Sequence, residues 1–133
     1  MTRLELIVVV PILLFLSVAF AAEKTGKIPA DADAVIQRVR KAAVNKDLNT
    51  LRSLMVQEFV WSFGGDRDAD QALNEWKKES DVLSHMIRVL DKGCRSTGPR
   101  TIECPGAGKL SYRAGFTQRT TGQWLMEYFV AGD

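Results

Sequence analysis

The spacing of apolar residues changes along this chain, from helical steps to strict alternation, and that change limits the fold more than any single motif. Ala32, Val35, Ile36, Val39, Ala42 and Ala43 recur three or four residues apart, with Gln37, Arg38, Arg40 and Lys41 on the other side. This predicts a first helix capped by Asp31 or Asp33. Asn45-Lys46-Asp47 interrupts the pattern, and Asp47 is placed to cap a shorter helix with Leu48, Leu51, Leu54 and Met55 as its buried stripe. The step then falls to two. In Glu58 to Phe63, the side chains of Phe59, Trp61 and Phe63 share one face, which predicts a half-buried strand. Gly64-Gly65 ends it at a turn that needs positive φ.

Two more helical patterns follow. Ala69, Ala72, Leu73 and Trp76 form a stripe after an Asp66 or Asp68 cap. Val82, Leu83, Met86, Val89 and Leu90 form another after a break at Lys77–Asp81, and Gly93 stops it. From Cys94 onward the chain alternates. Cys94–Ser96 and Ile102–Cys104 read as hairpin arms about Thr97-Gly98-Pro99-Arg100, whose residues favour a turn. Leu110, Tyr112, Ala114 and Phe116 alternate with smaller or polar residues. Trp124 to Val130 is apolar on both faces, which suits a covered central strand. The expected fold class is α+β, with N-terminal helices packed on a C-terminal, mainly antiparallel sheet. Residues 31–133 form its single domain, and 22–30 is a flexible lead-in.

The first segment reads as an address. Leu6 to Ala22 is an apolar run broken only by Pro11 and Ser17, and Ala19-Phe20-Ala21 has the small-x-small pattern of a cleavage site. Residues 1–21 are therefore expected to be a signal peptide, with cleavage near Ala21 and delivery to the periplasm or medium. The alternative is an uncleaved anchor, for which about 17 residues is the lower edge of a span. The membrane is otherwise not an expected partner. In an oxidising compartment Cys94 and Cys104 are expected to pair. Each lies five residues from Pro99, so a hairpin centred there sets them opposite one another.

Composition excludes several functions. Eighteen Lys and Arg against sixteen Asp and Glu leave a net charge of +2, too balanced for a nucleic-acid surface. One His and two Cys fall short of the four ligands of a usual zinc site. Asp66, Asp68 and Asp70 have calcium-like spacing, but Gln71 and Lys77 stand where a calcium loop needs Gly and Glu. Helix capping explains them better. No metal, cofactor or catalytic residue is expected. His85, the single histidine, falls with Asp81, Ser84 and Arg88 on the face away from the apolar stripe, which suits an exposed side chain. Trp61, Tyr112, Trp124 and Tyr128 could line an apolar ligand pocket, with Arg113 holding a carboxylate through paired hydrogen bonds. Core packing for the aromatics and a solvated face for Arg113 are the competing explanations.

The helical pair ending in Lys46-Asp47, the Leu48, Leu51 and Leu54 stripe, the Phe59–Phe63 strand and the closing Gly122-Gln123-Trp124-Leu125-Met126-Glu127 resemble nuclear-transport-factor-two-like (SnoaL-like) domains. That resemblance implies a curved antiparallel sheet folded into a cone over the helices. The chain also resembles uncharacterised exported bacterial proteins. Shared features are the Ser62-Phe63-Gly64-Gly65-Asp66 turn, Trp76, the Leu90 to Cys94 helix end and the terminal Phe129-Val130-Ala131-Gly132-Asp133. Together these readings imply a small exported binding or accessory protein for an apolar ligand or a partner protein. The alternatives are an envelope interaction module, homodimeric through its sheet, and a cone-fold isomerase or hydrolase of small hydrophobic substrates.

Overall fold

A computed structural model describes residues 27–79 and 81–132. The signal-peptide reading of 1–21, most of the lead-in and the terminal Asp133 lie outside the described residues. Helix α1 spans Ala30–Val44 and buries Ala32, Ile36, Val39, Ala42 and Ala43, the stripe expected from spacing. Its start differs from expectation. Pro29 is the N-cap and makes no side-chain cap bond. Asp31 and Asp33 lie in the first turn instead, where their charge favours the positive end of the helix dipole. The short helix α2, Leu48–Ser53, is capped by Asp47, whose side chain accepts from the Thr50 N–H.

Strand β1 is Met55–Val60, three residues earlier than the alternation predicted. Leu54 closes α2, and Met55 opens the strand rather than ending the helical stripe. Phe59 is fully buried, while Phe63 lies beyond the strand and is 69% exposed. The sequence alternation was real only as far as Val60. Beyond it the chain turns, so Phe63 leaves the face that Phe59 occupies. Helix α3, Ala69–Lys78, starts at Asp68, whose carboxylate accepts from the N–H groups of Asp70 and Gln71. Helix α4 runs Val82–Asp91, and Gly93 follows with φ of 77°, a conformation only glycine adopts freely.

Strands β2 (Arg95–Gly98) and β3 (Thr101–Cys104) form the expected hairpin, and Arg95 pairs with Glu103. Cys94 and Cys104 are disulfide-bonded, with Cα atoms 4.2 Å apart. Strand β4 spans Tyr112–Gln118 and β5 spans Trp124–Ala131. The five strands lie in the order β1-β5-β4-β3-β2. Three pairings are antiparallel, and β1 runs parallel to β5. Helices α1, α3 and α4 pack on β5, β1 and β4, so they cover one face of the sheet. Among the described residues no helix is long and apolar enough to cross a membrane.

A register shift decides which residues of β5 face those helices. Gly115 pairs with Tyr128 and Phe116 with Met126, so Glu127 is the extra residue of a bulge. Trp124 and Met126 are buried on the helix side before the bulge, and Phe129 after it. Tyr128 and Val130 consequently face the other way, paired with Gly115 and Arg113. Gly115 is required there. A Cβ on it would overlap the ring carbons of Tyr128, which lies against the bare backbone.

Candidate functional site

The two faces of the sheet differ in chemistry. The helix-facing side is filled. Phe59, Trp76, Phe116, Trp124, Met126 and Phe129 are all buried there, and no polar or charged residue is buried among those described. Trp76 meets Phe59 edge-on at 5.6 Å and Phe129 edge-on at 6.0 Å. Tyr112 stacks on Phe129 at 5.0 Å. Such contacts add to area burial. A hollow of about 160 Å³ does open at the rim, where Trp61, Ser62, Glu75, Tyr112 and Phe129 meet. The Trp61 Nε1 is buried there without a hydrogen-bond partner.

His85 lies at the same rim. It is half-buried rather than exposed, because its ring stacks on Tyr112 at 4.6 Å. Its Nε2 is 3.6 Å from the Asp81 carboxylate, so the expected neighbour is present. Helical spacing set it beside Asp81 but not against the sheet, because the aromatic it leans on comes from β4, far away in sequence. The adjoining hollow holds only about 30 Å³, too small for a substrate.

The open face carries the larger hollows. One of about 400 Å³ lies between the sheet and the 105–110 loop, bounded by Arg95, Glu103, Lys109, Leu110 and Arg113. A second of similar size is bounded by Val60, Phe63, Arg67, Arg113, Glu127 and Val130. Arg113 is common to both. Tyr128 donates its hydroxyl to Glu103 Oε2 at 2.5 Å. Burial, and then the Glu103 carboxylate, push the Tyr128 hydroxyl well above the usual phenol range, so it remains a donor at any working pH. Arg95 approaches the other Glu103 oxygen at 3.9 Å. Arg113 has no carboxylate partner among the described residues, and its Nε is buried without a hydrogen bond.

The five residues singled out from sequence thus fall in three places. Trp124 belongs to the packed interior, with 3% exposure. Trp61 and Tyr112 meet at the rim on the helix side. Arg113 and Tyr128 meet on the open face. The sheet itself separates the second group from the third. Residues that the sequence reading passed over are Arg95, Glu103 and Lys109. The Arg95–Glu103 juxtaposition follows from the same count about Pro99 that paired the cysteines. Lys109 carried no signal, because the irregular 105–110 loop has no period. Among the described residues no cluster of three or more His, Cys, Asp or Glu is placed to hold a metal ion.

No protein-family model matches the sequence. No curated protein matches it either. Solved structures do. An NTF-2-like protein of unknown function from Shewanella oneidensis MR-1 matches with a TM-score of 0.50 and 13% identity, over 77% of this chain and 97% of its own. A protein described as a candidate ketosteroid isomerase, from Shewanella frigidimarina NCIMB 400, matches with a TM-score of 0.46 and 12% identity, over 77% and 95%. The first likeness shows the fold: a nuclear-transport-factor-two-like arrangement of helices on a mixed, mainly antiparallel sheet.

Proposed function

We propose that this chain is an exported, non-catalytic binding or accessory protein whose working surface is the open face of its sheet. The contrast between the faces carries the reading. The interior, where a cone-shaped sheet could enclose a substrate, is packed with aromatic and aliphatic side chains. The opposite face has hollows of about 400 Å³, within the ordinary range for small-molecule sites. An enzyme of this shape needs a general acid or base in a water-excluded pocket. The helix-side interior offers none among the described residues.

Export is supported by the apolar leader and by the disulfide, a bond characteristic of oxidising compartments. Native mass spectrometry on protein purified from its own host's envelope tests the whole reading. The expected species is a disulfide-bonded chain beginning near Ala22 that retains a small ligand or a partner. A reduced chain that keeps residues 1–21 would remove export. A bare monomer that binds nothing in the extract would remove the binding role. A dimer joined through Phe63, Val60 and Val130 would instead favour the interaction-module reading, since Phe63 is a large apolar side chain left exposed at this face.

A further inference from the structure

We infer that the hollow around Arg113 binds the carboxylate of a small amphipathic acid, and that the acid's apolar tail lies along Val130 and Val60 toward Phe63. The inference rests on the binding reading above and specifies the ligand of that same face.

Charge is the first ground. Arg95, Lys109 and Arg113 border the loop-side hollow, and Glu103 is the single carboxylate among its lining residues. That carboxylate is already engaged by the Tyr128 hydroxyl and approached by Arg95. It makes no ion pair with Arg113, and three cations against this one carboxylate leave the lining net positive. A half-buried guanidinium with an orphaned Nε is costly to leave unpaired. A ligand carboxylate would supply acceptors matched to its planar fork. Glu127 borders the second hollow with Arg67, and these opposite charges leave that side nearly neutral.

Apolar surface is the second ground. Val130 is buried yet stands apart from the main core cluster, on the open face beside Arg113. Val60 and Phe63 continue that surface across the second hollow. Arg113 sits where the two hollows meet, so a charged head and an apolar tail can occupy both together. A free inorganic anion would use only the first, and a neutral lipid only the second.

The test is calorimetric titration of the purified chain with sodium octanoate, 1-octanol and sodium acetate. Octanoate should bind more tightly than either other probe. Arg113→Gln should weaken octanoate by about tenfold or more, the usual scale of a lost charge-assisted bond, and leave 1-octanol unchanged. Tyr128→Phe should weaken octanoate by a smaller factor, because Glu103 is then free to compete for the cations. Circular dichroism confirms that each variant remains folded. Equal binding of octanoate and 1-octanol, indifferent to Arg113→Gln, would overturn the carboxylate claim while the binding reading stands. Acetate binding as tightly as octanoate would overturn the tail. No octanoate binding would overturn the inference entirely, and the envelope extract then decides separately whether the face binds something else.

Discussion

One sheet presents two surfaces built to opposite rules. Toward the helices, Ala114, Phe116, Trp124, Met126 and Phe129 lose nearly all contact with water and interlock with Trp76 and Phe59. Toward solvent, Glu103, Arg113 and Tyr128 come from neighbouring strands yet form a polar group beside unfilled space. The first surface has the density that stability requires. The second keeps open volume and a cation with no carboxylate partner among the described residues, features that folding alone does not select. The lesson is that adjacent residues of β4, Tyr112 and Arg113, answer to different demands, because alternation sends them to opposite sides.

That division can be broken in order of expected effect. Trp124→Ala should destabilise by ~3–5 kcal/mol, the scale for removing a buried large aromatic. Urea unfolding reads the change, and a near-silent variant would mean that the helix side is not the stabilising surface. Reduction of the Cys94–Cys104 bond should lower stability by about 3 kcal/mol or somewhat less, since a short loop is released. Melting with and without reductant checks this, with far-UV circular dichroism preserved, and identical curves would remove the bond's structural role. Gly115→Ala should cost ~1–3 kcal/mol through overlap with the Tyr128 ring. It should also displace that ring from Glu103, visible as a downward shift in the phenol titration. An unshifted titration would show that the open face is less tightly built than described.

The smallest effect is electrostatic. Hydrogen bonds from Arg40 to Asp91, from Arg119 to Glu58 and from Thr50 to Asp47 hold all three carboxyls below their usual range. A carboxyl depressed in the folded state contributes stability above its unfolded pKa of about 4, and that contribution is lost as pH falls through the folded value. Stability should therefore decline gently below about pH 4. Asp91→Asn with Glu58→Gln should flatten the decline in urea melts collected from acid to neutral pH. These groups are exposed and screened, so an unchanged slope would assign acid sensitivity to other residues.

The fold was largely legible, because amphipathic stripes at Ala32–Ala43 and Val82–Leu90 leave few alternatives. Strand β1 was displaced because Leu54 and Met55 satisfy both a helical stripe and a strand. Only pairing with β5 decides between them. The parallel sense of that pairing left no mark in the sequence, since alternation is the same in either direction. Of the residues on the open face proposed as the working surface, the sequence pointed to only some. Arg113 stood out by type, Arg95 and Glu103 were passed over although the count about Pro99 sets them opposite one another, and the bulge at Glu127 was invisible. Without it, uninterrupted alternation would turn Tyr128 to the side of Trp124 and away from Arg113.

The position of β5 has a consequence for how the molecule assembles. It is the last strand in sequence, yet it is inserted between β1 and β4. Until residues 124–131 arrive, β1 and the β4-β3-β2 ladder have bare edges and nothing joins them. Sheet closure must therefore await contacts about seventy residues apart, a slow, late step by loop-closure arguments. A chain shortened before Trp124 would be left with adhesive strand edges, prone to join its neighbours rather than itself.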